Sequence, residues 1–93
     1  MMWPFLLTSI LNMKINIRKT AINDLKKINR KVKDRIHKKI TELQHFPNIP
    51  NIKKLTNFEP AYRLRIGDYR VLFDVLDDVV VIGRVLHRRE SYQ

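Results

Sequence analysis

Apolar and polar side chains alternate along Lys14-Ile-Asn-Ile-Arg18, the period-two pattern of a strand with one buried face. The spacing then changes. Ile22, Leu25 and Ile28 recur at three-residue steps and predict a helix from Ala21 to about Asn29, capped by Thr20. From Arg30 to His45 a second helical stripe is formed by Val32, Ile36, Ile40 and Leu43, with Lys31, Lys33, Arg35, Lys38 and Lys39 mostly projecting outward. Pro47 and Pro50, set among Asn48 and Asn51, end that helix and predict a loop to about Glu59-Pro60.

Two short strands, Tyr62–Ile66 and Tyr69–Phe73, are separated only by Gly67-Asp68, a two-residue hairpin signal. A third run, Val79 to about Leu86, follows a turn at Asp77-Asp78. The order β-α-α-β-β-β predicts an α+β fold in which two antiparallel helices pack on one face of a small antiparallel sheet. No internal repeat or low-complexity stretch interrupts it.

A tight Gly67-Asp68 turn places Ile66 opposite Tyr69, Leu64 opposite Val71 and Tyr62 opposite Phe73, all on one face, which is the expected core face. The other face then carries Arg65 opposite Arg70, with Arg63 two residues along. Like charges facing across strands destabilise a sheet, so the pattern makes sense with an anion over it, and three planar donor forks suit phosphate. Arginine on the solvent side of an edge hairpin is also an ordinary guard against aggregation. What favours a site is convergence with the C-terminal run, where Arg84, His87, Arg88, Arg89 and Tyr92 follow the same hairpin. Their facing depends on the second turn. A loop of Asp77-Asp78 alone puts Val85 and His87 on the arginine face, whereas adding Leu76 to the loop puts Arg84 and Arg88 there.

Charge sharpens this picture. Nineteen Lys and Arg against nine Asp and Glu leave a net +10 on 93 residues, all of it at or beyond Met13. That self-repulsion is best tolerated beside an anionic partner, of which nucleic acid is the commonest. One domain accommodates the length. The absence of cysteine removes disulfides, thiolate nucleophiles and cysteine-held zinc, and fits a reducing cytoplasm. His37 and His45, about 12 Å apart along one helix, are too distant to share a metal. No metal or other cofactor is expected. Residues 1–12 are apolar and uncharged, but they lack a basic n-region and fall short of the roughly 20 residues of a membrane span. They read as an extension upstream of a domain covering 13–93, which need not belong to the natural product; no membrane partner is expected.

The string Tyr62-Arg-Leu-Arg-Ile-Gly-Asp-Tyr-Arg-Val-Leu-Phe73, followed by Arg84-Val-Leu-His-Arg-Arg-Glu-Ser-Tyr92, resembles the RelE/ParE superfamily of bacterial toxins, and its RelE branch in particular. The resemblance runs from about Met13 to Tyr92 and includes the Lys54-Leu55 step. It implies a ribosome-dependent mRNA endonuclease of a type II toxin–antitoxin system, working against the 16S-containing small subunit and held inactive by a cognate antitoxin. The positions matching the family's functional residues are Arg63, Arg65, Arg70, Arg88 and Tyr92, with His87 and Arg89 adjoining them. Lys54, Arg84, Lys38 and Lys39 are further candidates for RNA contact, although the helical lysines also suit a plain solvated face. Arg63 and Arg65 stand where some members carry lysines, and a guanidinium keeps its proton at accessible pH, so His87 becomes the candidate general acid or base. The ParE-like branch, which inhibits DNA gyrase without cutting RNA, is the alternative within the superfamily. A noncatalytic module binding RNA or an acidic partner is the alternative outside it.

Overall fold

The computed structural model describes residues 12–55 and 60–90. The expected extension up to residue 11, the end of the long loop and Tyr92 lie outside the described residues. The elements are β1 (Lys14–Ile17), α1 (Lys19–Lys26), α2 (Arg30–Glu42) continued by a 3₁₀ turn (Leu43–His45), β2 (Ile52–Lys54), β3 (Tyr62–Ile66), β4 (Tyr69–Leu76) and β5 (Val79–His87). The strands form one sheet in the order β1-β5-β4-β3-β2.

The hairpin register is the expected one, with Ile66 facing Tyr69, Leu64 facing Val71 and Tyr62 facing Phe73. Those side chains, with Val80, Ile82 and Val85 from β5, meet Ala21, Leu25 and Ile28 and the α2 stripe of Ile36, Ile40 and Leu43 in one core. Phe46 packs edge-on against Tyr62 and Phe73 at centroid separations of 5.1 and 5.9 Å, pinning the start of β3 to the end of the helical layer.

The α+β architecture with both helices on one face is present, and the sheet carries two details that the sequence pattern did not predict. First, β1 lies parallel to β5, pairing Lys14–Ile17 with Val79–Ile82, so the sheet is mixed. Second, the segment read as loop contributes a short edge strand, β2, antiparallel to β3. The helix caps also differ. α1 starts at Lys19 with Arg18 as an N-cap that makes no side-chain bond, and Thr20 instead donates its hydroxyl to Gly83 O at 2.6 Å. Ile22 is consequently 42% exposed, while Ala21 takes the inward position. α1 ends at Lys26, and Asn29 caps α2 by accepting from Val32 N–H at 3.0 Å.

Thr20 belongs to a clamp that positions the functional end of β5. Strand β1 covers the edge of β5 only as far as Ile82, and beyond it α1 takes over. Asp24 accepts from Val85 N–H at 2.9 Å and from both Arg84 Nε and Nη2, at 2.8 and 3.1 Å. Burial works to raise the Asp24 carboxyl. The hydrogen bonds from Arg84 and Val85, with the charges of Arg84 and Lys27, outweigh it and hold the carboxyl below its ordinary 3.8. A depressed carboxyl stabilises the fold fully above its unfolded value and loses that contribution as pH falls through the folded one. Asp24→Ala is therefore expected to cost about 1–3 kcal/mol in urea unfolding at pH 7 by stranding Val85 N–H. The loss of wild-type stability below pH 3.8 should be correspondingly shallower in the variant.

Candidate functional site

The outer face of the sheet, opposite the helices, is built by the hairpin. Gly67 adopts a positive φ of 56° in the two-residue turn, and the pairing that follows sets Arg65 directly across from Arg70 and Arg63 across from Leu72. Strand β2 adds Lys53, paired with Arg63 and so on the same face. Asn51, Ile52, Lys53, Arg63, Arg65 and Arg70 line a groove of about 290 Å³. Four cations around so small a volume make a concave, electropositive site.

The arginines have different duties. Arg70 is buried to 6% exposure and its Nη1 donates to Gly67 O at 2.8 Å and to Tyr69 O at 3.0 Å. Its charge is thus turned toward carbonyls of the hairpin, which relieves the facing of two like charges across the strands. Arg63 is half-buried and Arg65 exposed. Arg88 lies at the turn end, its backbone N–H donating to Asp68 O at 2.7 Å and its Nε 3.9 Å from Asp68 Oδ1. Arg35 of α2 reaches the same turn from the other side, its guanidinium close enough that a Cβ on Gly67 would sit 3.5 Å from Nη1.

A β-bulge decides where the rest of β5 faces. The loop is Asp77-Asp78 alone, with Leu76 opposite Val79, yet Phe73 pairs with Ile82 while Leu72 pairs with Arg84. Gly83 is left over, and the extra residue reverses the alternation. Arg84 and Leu86 therefore share the parity of Arg70, and Val85 and His87 that of the core. The Arg84 guanidinium does not join the groove, because it is tied to Asp24 and raised above its ordinary value by that bond.

His87 faces Tyr69, edge-on at 5.3 Å, on the helix side of the sheet, and its Nδ1 accepts from Arg89 N–H at 3.3 Å. It lines a separate hollow of about 190 Å³ with Lys27, Tyr69 and Glu90. The sheet stands between this imidazole and the arginine groove, so of the two facings left open for His87 the one beside Arg70 is not adopted. Arg89 is exposed in the turn after β5. Lys54 pairs with Tyr62 and has the parity of the helix side, one residue out of step with the groove. Lys38 and Lys39 are on α2, across the sheet, and Lys39 is 3.6 Å from Glu42. Lys53 and Asn51 were missed because a three-residue strand in an Asn/Pro-rich stretch is too short to show alternation. Among the described residues no three His, Cys, Asp or Glu side chains group closely enough to hold a metal ion, and no helix is long and apolar enough to cross a membrane.

Two helices on one face of the sheet and a cationic groove on the other define a small α+β protein with a site for an anion. The family model described as ParE toxin of type II toxin-antitoxin system, parDE, matches residues 15–92. Toxin RelE3 of Methanocaldococcus jannaschii is 34% identical over 84 residues, 86% of this chain and 96% of that protein. Among solved structures, the RelB-RelE antitoxin-toxin complex from Methanococcus jannaschii superposes with a TM-score of 0.69 at 32% identity, covering 83% of this chain and 94% of that one. The toxin-antitoxin complex RelBE2 from Mycobacterium tuberculosis gives a TM-score of 0.71 at 29% identity, with 83% and 99% coverage. The chain belongs to the RelE/ParE superfamily of type II toxin–antitoxin toxins, and its relatives are of RelE type.

The unequal burial of the two facing arginines gives a measurable contrast. Arg70→Ala is expected to cost about 1–3 kcal/mol in urea unfolding, since it strips the turn carbonyls of a charged donor. Arg65→Ala should stay within about 0.5 kcal/mol of wild type, as exposed sites do.

Proposed function

We propose that the chain cuts mRNA on the ribosome and is neutralised by a cognate antitoxin. The observation that carries this reading is the groove, where Lys53, Arg63, Arg65 and Arg70 converge on the solvent side of a rigid hairpin. RNA brings its own nucleophile to such a site. The 2′-oxygen bonds to the adjacent phosphorus, the bond from phosphorus to the 5′-oxygen breaks, and the products are a 2′,3′-cyclic phosphate and a 5′-hydroxyl. The 2′-hydroxyl gives its proton to solvent water, and the departing 5′-oxygen takes one from the protein.

In this scheme Arg63 and Arg65 orient the strand and stabilise the extra charge of the transition state, held in register by Arg70 beneath them. Lys53 supplies ammonium protons next to the leaving oxygen, a duty that no guanidinium of the groove can share. Arg88 and Arg89 extend the phosphate track past the turn, and Tyr92 stacks on a base. His87, on the opposite face, has no part in the phosphate chemistry. The ribosome's small subunit presents the message, and the RelB–RelE complexes among the relatives support the antitoxin partner. A second reading, gyrase inhibition, is favoured by the ParE description of the matching family model.

Induction of the protein in bacteria is expected to arrest translation and to leave ribosome-bound messages cut with 5′-hydroxyl ends, while naked RNA is cut poorly. Arg65→Ala and Lys53→Met should each lower cutting about 100-fold in protein that remains folded. Intact messages together with blocked DNA replication would sink the RNA reading and favour the gyrase one.

A further inference from the structure

Contacts from arginine and lysine to phosphate fix a strand in place without reading its sequence. Of the residues lining the groove, Lys53, Arg63, Arg65 and Arg70 are of that kind, and Ile52 packs against the core. Asn51 is different. It is exposed, and its amide sets a hydrogen-bond donor beside an acceptor, the pairing that a base edge presents. Its backbone φ of 67° lies in the left-handed region, which asparagine tolerates better than most residues. Its carbonyl accepts from Arg65 N–H at 3.0 Å, so Asn51 is anchored to the strand that carries two of the groove's cations.

We propose that Asn51 is the base-reading residue of this groove and that it selects adenine, whose adjacent N6 donor and N7 acceptor match a side-chain amide in a bidentate pair. The inference rests on the RNA-cutting reading and adds to it a source of sequence preference within the protein. A residue needed only for the turn would be served at least as well by glycine, which adopts a positive φ without strain. Asn51→Gly therefore preserves the backbone and removes only the reader.

The experiment maps the 5′ ends of cut messages after induction of wild type, Asn51→Gly and Asn51→Asp, the last keeping the size of the side chain but losing its donor. Wild-type cuts should be enriched for adenine at one fixed position relative to the break. That enrichment should fall about fivefold or more in both variants, with cuts at other sites persisting and the thermal midpoint of purified Asn51→Gly at or above wild type. Wild-type cuts without adenine enrichment, an enrichment untouched by Asn51→Gly, or an equal loss at all sites each overturn the proposal while leaving the cutting activity standing. Absence of wild-type cuts overturns the cutting activity as well.

Discussion

The unpaired Gly83 in β5 governs which side chains can meet the arginine hairpin. Strand side chains alternate, so one extra residue exchanges the two faces for everything beyond it. Before the bulge, Val80 and Ile82 point to the core; after it, Val85 does, so apolar burial continues along the strand although the spacing between Ile82 and Val85 is three residues. The bulge is held from outside by the Thr20 hydroxyl on Gly83 O and, just beyond it, by Asp24 on Val85 N–H. A Cβ at Gly83 would meet nothing closer than Leu72 O at 3.8 Å, so the bulge is fixed by pairing and by α1 rather than by a need for glycine. Helix α1 thereby sets the end of β5, and β5 sets the approach of Arg88 to the Gly67-Asp68 turn.

Concentrating positive charge on one sheet face is costly unless some of it is satisfied internally. The groove meets this by layering. Arg70 lies lowest and spends its Nη1 on two carbonyls of the hairpin, which stiffens the turn, while Arg63 and Arg65 remain nearer solvent. On the strand next to it, Arg84 is withdrawn into the Asp24 clamp. The net +10 of the chain is therefore not spread evenly in its consequences. Some of its arginines hold the scaffold, and others are left available to an anion.

Features with a strict local code are legible in the amino-acid sequence. Gly67-Asp68 dictates the hairpin register, and with it both the core face and the facing of Arg65 and Arg70. The α2 stripe is equally plain from Ile36, Ile40 and Leu43. What escapes such a reading depends on contacts distant in sequence. The parity of β5 does not follow from its turn, because the two-residue loop is present and the bulge at Gly83 then gives the facing of the longer one. Thr20 has the look of an N-cap, yet its hydroxyl is claimed by a carbonyl 63 residues away. Strand β2, and so Lys53 and Asn51, acquires its order from β3 and carries almost no pattern of its own.

The displacement of His87 to the helix side changes what can be asked of the groove. An imidazole there would have made proton transfer at neutral pH the natural centre of a mechanism. Without it, the described groove offers fixed positive charge, the ammonium of Lys53 and the amide of Asn51. Such a set suits a substrate that already contains both its nucleophile and its electrophile, where the protein's main tasks are alignment and stabilisation of developing negative charge. RNA meets that description through its 2′-hydroxyl, and DNA does not. On the proposed reading the same cations would grip either backbone, so a preference for RNA would arise at the step of bond breaking rather than at the step of binding.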